Sequence, residues 1–409
     1  MARRMMVPPG KLRAIFLVYM TLLAIGYAQA SENTAINVRV VSPNSSPGLM
    51  NDDSVTSVLI VAIQNGTSEG TGTLTKGYSA WRGSFLVHAT GTTDFWAYAY
   101  NASNAVVWNG LTSDFIVHSN QRNTVTIRMI PLPFENTPDI GMMVPVAGGT
   151  FTLRAGGPNM TESTFYMSAN LITREQFWSV MGADPSVTSV SRGTSDPVQN
   201  VNWYMAITFC NKLSLLEGLT PVYSVSTVAN WSSLRFSRIP RSNNLKWDAA
   251  TINDGANGYR LPTEMQYMWA AMGGMSDGLS GDIVQGINVL GFEKGYAGST
   301  EPAGGQKYIG NYAWYYTNDD ISTQPIGTKT SNELGIFDLS GNVMEWEWDW
   351  IGIYPTTATI DYQGGASGLY RVAQGGSWDF IASYCTVAGR LIIAPYYQGS
   401  ITGFRVVRQ

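Results

Sequence analysis

Short runs in which apolar and polar residues alternate occupy the chain between residues 31 and 130. The run from Ile36 to Val40 shows the alternation clearly. Further runs of this kind lie at 57–63, 83–88, 94–100 and 123–130, with Gly, Asn, Asp and Ser clusters between them. An alternation with a period of two is typical of a strand that buries one face. The pattern therefore predicts an all-β, immunoglobulin-like sandwich over residues 31–130.

The segment 131–139 contains three prolines and breaks this pattern. Proline cannot continue a central strand or a helix, so the segment predicts a linker between two domains. The chain has 409 residues, and at about 150 residues per domain this length favours two or three domains. We therefore expect a second domain over residues 140–409.

Residues after 140 mix strand and helix signals. Thr173 and Thr263 each stand directly before a helical pattern. Threonine is a favourable N-cap because its hydroxyl accepts a hydrogen bond from a backbone N–H that the first turn leaves free. The predicted strands lie at 143–151 and 165–173, and the predicted helices at 174–181, 204–217 and 264–272.

The final stretch, residues 371–409, contains a loop that is held at both ends. One strand-like run enters it through Gly375-Gly376, and a second leaves it through Gly403-Phe404-Arg405. Aromatic and aliphatic residues crowd the loop almost without charge, and no regular period places them on one face. Such residues on a rigid loop suit a binding surface, since they offer large contact area at low conformational cost. The alternative is that they fill the core of the last strands.

Composition and charge exclude some classes of protein. The formal net charge is −4, so the chain lacks the basic field that binding of nucleic acid requires. With 43 Gly, 13 Trp and 21 Tyr residues, the composition is that of a loop-rich globular protein and not of a disordered chain. The two histidines, His88 and His118, lie in strand-like runs and are predicted to be structural.

The first 30 residues have the order of a secretory signal peptide. Arg3, Arg4, Lys11 and Arg13 precede an apolar run at 14–27, and Ala28-Gln29-Ala30 follows it. The run is shorter than the ~20 residues of a membrane span. We expect cleavage after Ala30 and a mature chain without a membrane span that is exported to the periplasm, the cell surface or the medium.

Only two cysteines occur, Cys210 and Cys385. An exported chain of this size therefore relies on its core and forms at most one disulfide. The sequence leaves open whether the two cysteines pair.

Several blocks carry a family resemblance. Gly-Tyr-Arg-Leu-Pro-Thr-Glu stands at 258–264, Gly-Asn-Val-Met-Glu-Trp at 341–346 and Gly-Gly-Ser-Trp at 375–378, and further blocks lie at 144–151, 197–203, 335–340 and 403–405. In this order they resemble the sulfatase-modifying-factor domain, the family of formylglycine-generating enzyme. The resemblance implies an α+β, C-type-lectin-like fold over residues 140–409, with two helices packed on small antiparallel sheets. A shared fold does not by itself transfer an activity.

The redox sites of the family are incomplete here. Members that oxidise a sulfatase cysteine bind copper through two cysteines, and the resemblance places Cys385 on the second position and Phe380 on the first. Copper is therefore unexpected, because the soft metal is selected by the sulfur pair. The related histidine-rich iron site is excluded, since residues 140–409 contain no histidine.

A calcium site is the better-supported metal prediction. Asp338 and Glu345 flank a glycine turn that can direct the carbonyl groups of Gly341 and Val343 inward, and calcium prefers such oxygen ligands. The positions match the calcium loop of the family. The alternative is a turn that the carboxylates stabilise without a metal.

Fourteen residues of the terminal loop share a further property. In the common bacterial form of the domain this segment is rich in asparagine and arginine, whereas each residue here is reachable from an asparagine codon by changing only its adenines. These residues are Asp379, Phe380, Ile381, Ser383, Tyr384, Gly389, Leu391, Ile392, Ile393, Tyr396, Tyr397, Gly399, Ser400 and Ile401. The pattern resembles the variable proteins of diversity-generating retroelements, which display a hypervariable ligand-binding surface on this fold.

The preferred hypothesis is thus an exported, non-catalytic protein that binds a protein or other macromolecular ligand on a cell surface through residues 379–401. One alternative is a formylglycine-generating oxidase that acts on a sulfatase cysteine through Cys385. Another is an envelope scaffold without a specific ligand. Chance similarity of the codons remains a further explanation of the terminal loop.

Overall fold

A computed structural model describes residues 34–409 except 42–54, 78–79, 89, 103–105, 120, 133 and 254. The predicted signal peptide at 1–30 lies outside the described residues. Within the described part of the chain, no helix is both long enough and apolar enough to cross a membrane.

The N-terminal part consists of two packed sheets. Its strands are β1 (Thr34–Val41), β2 (Val55–Gln64), β3 (Thr67–Thr73), β4 (Thr75–Lys76), β5 (Trp81–Val87), β6 (Gly91–Asn101), β7 (Val106–Val117), β8 (Asn123–Arg128) and β9 (Ile130–Pro131). One sheet has the order β4-β5-β1-β8 and the other β3-β2-β6-β7-β9. Alternate residues of β1, such as Ile36 and Val38, face Phe95 of β6 in a common core. The alternation in the sequence thus marks the buried face of each strand.

The C-terminal part contains four α-helices and fifteen short strands within the described residues. The helices are α1 (Arg174–Met181), α2 (Trp203–Leu216), α3 (Leu245–Asp248) and α4 (Glu264–Ala271). The strands are β10 (Glu135–Thr137), β11 (Gly141–Val146), β12 (Gly149–Thr152), β13 (Asn159–Glu162), β14 (Phe165–Ser168), β15 (Tyr223–Ser224), β16 (Thr251–Ile252), β17 (Ile283–Val284), β18 (Ile287–Asn288), β19 (Met344–Trp350), β20 (Thr359–Ile360), β21 (Arg371–Gln374), β22 (Arg390–Ile393), β23 (Thr402–Gly403) and β24 (Val407–Arg408).

Local capping determines where the helices begin. Thr173 and Thr263 each form a capping box, in which the threonine hydroxyl accepts from the backbone N–H three residues later and a glutamine side chain accepts from the threonine N–H. Asn202 caps α2 in a similar way through Met205 N. The helices predicted from sequence are confirmed, with ends that differ by at most one residue. The short helix α3 was not predicted.

Small sheets surround these helices. Their strand orders are β10-β11-β14-β24, β17-β18-β12-β13-β20, β15-β16 and β22-β21-β19-β23. Trp346 and Trp350 of β19 are buried, and Trp348 between them is half-buried. Strand β22 lies inside the predicted terminal loop and pairs with β21, so this loop contains a strand that its sequence period did not reveal. The α+β fold class is confirmed.

The predicted linker is part of both halves. Strand β9 pairs with β7 in the N-terminal half, and β10 pairs with β11 in the C-terminal half. The two halves also share one hydrophobic core, in which Val61, Trp96 and Tyr98 of the sandwich are buried together with Phe151 and Trp269. The sandwich therefore packs directly against the second half.

Candidate ligand-binding surface

The terminal loop begins at a turn that favours glycine. Gly375 and Gly376 have φ angles of +92° and +71°, in the left-handed region that disfavours side chains. A Cβ atom on Gly376 would lie 2.7 Å from the Sγ atom of Cys385. The close approach of these two residues brings the first part of the loop back onto the strand that precedes it.

Backbone hydrogen bonds then fix the loop to the rest of the domain. They include Trp203 N to Pro395 O at 2.9 Å, Asn200 N to Gly399 O at 2.9 Å, and Met344 N to Ile401 O at 2.8 Å. The indole of Trp378 also donates to Ser400 O at 2.9 Å. These bonds involve the backbone of the loop, so they hold its shape whatever side chains it carries.

None of the fourteen candidate residues is buried. Ile392, Ile381 and Tyr384 are 57%, 54% and 50% exposed, and the other candidates are exposed or half-buried. By contrast, Cys385, Val387 and Pro395, which stand between candidates in the sequence, are buried. Ile393 and Ile401 are half-buried and pack against the core, so the core-filling alternative applies in part to these two and not to the exposed candidates.

The candidates belong to three segments of the loop. In the first, the rings of Phe380 and Tyr384 lie 5.3 Å apart between centroids. In the second, Leu391, Ile392 and Ile393 belong to β22, the edge strand of its sheet. The third segment, 396–401, comes directly after Pro395, whose carbonyl oxygen accepts from the backbone N–H of Trp203 at the start of α2. Asp379 is the only charged candidate, so the displayed surface is aromatic and aliphatic.

A neighbouring loop contributes a residue that sequence reasoning missed. Tyr316 is 61% exposed, and its backbone N–H donates to Phe380 O at 3.1 Å. Gln306 Nε2 donates to Ala382 O at 2.6 Å, so this neighbouring loop contacts the terminal loop at a second point. The aromatic run Trp-Tyr-Tyr at 314–316 is the sequence signal that could have pointed to this surface.

The thiols are unsuited to metal binding. Both Cys210 and Cys385 are free and buried, so they do not pair. Cys385 packs with Tyr296 and Ile309, and burial raises the pKa of its thiol to about 12. Burial also raises the pKa of Cys210. The reactive species for copper binding or oxidation is the thiolate. Phe380 stands at the position where the resemblance places the first cysteine of the pair.

The predicted calcium ligands are held by other groups. Both side-chain oxygens of Glu345 accept from Arg405, at 2.6 Å from Nε and 2.8 Å from Nη2, and both side chains are fully buried. Burial raises the pKa of Glu345, and the charge of Arg405 opposes that shift. The guanidinium thus supplies the positive charge at this carboxylate.

Asp338 has partners of its own. Its Oδ2 atom accepts from Gly327 N at 2.8 Å, and Asn342 Nδ2 lies 3.5 Å from its Oδ1 atom. The turn between Asp338 and Glu345 includes Gly341 and Val343, both buried. Among the described residues, no group of three or more His, Cys, Asp or Glu side chains could hold a metal ion. The two predicted carboxylates thus already have hydrogen-bond partners, and the calcium site stays a prediction.

Known proteins resemble this chain at the level of sequence and structure. A family model described as the sulfatase-modifying factor enzyme 1-like domain matches residues 131–409. "Chaperone protein LppX" of Paenibacillus barcinonensis is 34% identical over 249 residues, which cover 58% of this chain and 78% of that protein. "Formylglycine-generating enzyme" of Streptomyces coelicolor is 30% identical over 173 residues, which cover 39% of this chain and half of that enzyme.

A solved structure shows the same relationship. "Treponema denticola variable protein 1" superposes with a TM-score of 0.57 at 34% identity, covering 65% of this chain and 94% of that one. The family model spans more than half of the chain and includes every block described above. This chain therefore belongs to the family of sulfatase-modifying factor enzyme 1-like domains.

Proposed function

We propose that this protein is an exported, non-catalytic binding protein whose residues 379–401 contact a macromolecular ligand on a cell surface. The proposal rests on the difference in exposure between the candidate residues of the loop and the buried residues that stand between them. Each of the twelve candidates that has a side chain is exposed or half-buried, while Cys385, Val387 and Pro395 between them are buried. A rigid loop with Tyr, Phe and Ile side chains offers contact area without a large ordering cost.

We further propose that the fourteen positions vary between copies of the protein. Each of these residues is reachable from an asparagine codon by changing only its adenines, and the similar Treponema protein is named a variable protein. Backbone anchoring supports the proposal, because substitutions at exposed positions leave the hydrogen bonds of the loop intact. The oxidase alternative has no supporting geometry, since Cys385 is a single buried thiol.

The DNA next to the reading frame tests variation directly. We expect a near-copy of the codons for residues 371–408, with asparagine codons at the fourteen positions, and a reverse-transcriptase gene nearby. The scaffold alternative predicts neither. If both are missing, the proposal of variation is wrong.

A library tests the binding surface itself. Chains randomised at the fourteen positions are expected to keep a Tm within a few degrees of the parent and to yield binders to a fixed probe such as egg-white lysozyme. The matched library randomises the buried positions Cys385, Val387 and Pro395, and it is expected to lose the folded state. Loss of folding in the first library would contradict the proposal.

A further inference from the structure

A cavity separate from the terminal loop lies between β13 and the segment that leads into α4. Its volume is about 120 Å³, and its walls include Glu162, Arg260, Asp361 and Trp348 but no residue of 379–401. One water molecule needs ~10–15 Å³ of such volume, so the cavity has room for several waters or a small organic molecule.

Glu162 is the unusual group in this cavity. It is 1% exposed, and neither of its carboxylate oxygens has a hydrogen-bond partner among the described residues. Arg260 lines the same cavity, yet its Nη1 atom donates to Gln266 Oε1 at 2.6 Å. A buried carboxylate without a partner costs several kcal/mol. The Glu162 side chain is therefore a hydrogen-bond acceptor in this cavity without a donor among the described residues.

A second carboxylate is fixed at the same wall. Asp361 accepts from the backbone N–H and the hydroxyl of Ser163, each at 2.7 Å, and its own φ angle is +46°. Burial and then the charge of Asp361 raise the pKa of Glu162. A positively charged guest beside Glu162 and Asp361 would stabilise the ionised form of Glu162, so the cavity favours such a guest.

The other walls of the cavity indicate what the uncharged part of the guest is like. Val222, Leu261 and Trp348 provide apolar and aromatic surface. A protonated amine has three N–H donors and is attracted to an indole ring, while a short alkyl group suits the apolar side. We propose that this cavity binds the protonated primary amine of a small molecule, with Glu162 as its hydrogen-bond acceptor.

The first experiment follows the Tm of the full chain at pH 7 with increasing propylamine, alanine or propionate. Propylamine is expected to raise the Tm saturably, whereas propionate, which has the same length but no amine, has no effect. A shift with alanine alone also supports the proposal, and it identifies an amino acid whose carboxylate contacts Arg260. No shift with either amine means that water alone fills the cavity, and this overturns the proposal.

Variants locate the effect at Glu162. Glu162→Gln keeps the shape but removes the charge, and it is expected to weaken amine binding at least tenfold without lowering the Tm of the free protein. The control Glu175→Gln, on the exposed side of α1, retains binding. If Glu162→Gln fails to fold, Ala256→Leu narrows the cavity without changing a charge and is expected to abolish the shift. Binding equal to wild type in a folded variant of either kind overturns the inference.

Discussion

At the scale of single residues, the side chain of Arg405 fixes the end of the terminal loop to neighbouring strands. Its guanidinium is fully buried and donates to both oxygens of Glu345, and also to the carbonyl groups of Ser168 and Phe337. The sequence showed only that an arginine follows Gly403-Phe404. The structure shows that this arginine joins β19 and β14 to the last residues of the loop.

Removing this charge is expected to be costly. Arg405→Met leaves the Glu345 carboxylate buried and unpaired, so we expect a loss of about 3–5 kcal/mol in the free energy of unfolding, measured with urea. The double variant Arg405→Met/Glu345→Gln is expected to recover part of that loss, because the stranded charge is gone. Losses that simply add in the double variant would contradict the direct pairing.

Asp349 is expected to make stability depend on pH. Burial and then the charge of Glu264 raise its pKa to about 8, although its Oδ2 atom accepts from Glu264 N at 2.9 Å. The folded state therefore holds this proton more tightly than the unfolded state, whose aspartate has a pKa of about 3.9. The stabilising contribution is complete at low pH and is lost as the pH rises from about 4 to about 8.

The test compares urea unfolding at pH 5 and pH 8. We expect the wild-type free energy of unfolding to be lower at pH 8 by about 1–3 kcal/mol. Asp349→Asn is expected to reduce this difference, and a part remains because burial also raises the pKa of Glu347. An unchanged difference in the variant would show that Asp349 is not the titrating group.

At the scale of elements, the start of α4 depends on one hydroxyl. Thr263 Oγ1 accepts from Gln266 N at 3.1 Å. Thr263→Ala removes this acceptor, and we expect the free energy of unfolding to fall by about 1 kcal/mol. Thr263→Ser keeps the hydroxyl and is expected to retain most of the stability. Equal losses in the two variants would mean that the cap is not the cause.

Strand β22 is expected to tolerate change on its outer side. Ile392 is 57% exposed, while Val372, its partner in the ladder with β21, is fully buried. We expect Ile392→Ala to change the free energy of unfolding by less than about 1 kcal/mol, and Val372→Ala to lower it by about 1.5–3 kcal/mol. A large effect of Ile392→Ala in urea unfolding would make this side chain part of the core.

At the scale of the whole molecule, the shared core predicts that the two halves unfold together. Val61 is 1% exposed, and a Cβ atom on Gly286 would lie 2.2 Å from its Cγ2 atom. Val61→Asp places an unpaired charge between the halves. We expect one calorimetric transition for the wild type and two for this variant. Leu86→Asp, on the exposed face of the sandwich, is the control and is expected to keep a single transition.

Local patterns were sufficient for much of the fold. The alternation at Ile36 to Val40 identified a strand because its period reflects which face is buried. Thr173 and Thr263 identified helix starts because a cap and its partner are three residues apart. The terminal loop was recognised as unusual from its composition, but β22 was missed, since a strand at the edge of a sheet with little polar alternation has no clear period.

The sequence by itself determined the family, three of the helices and the list of fourteen loop residues, because each of these depends on neighbouring residues or on motifs. Only the tertiary structure decided which charges meet and which side chains are exposed. Glu345 pairs with Arg405 across 60 positions, Glu162 has no hydrogen-bond partner among the described residues, and Val61 is buried against the second half. Burial and ion pairing depend on packing between distant segments, and no local pattern records that packing.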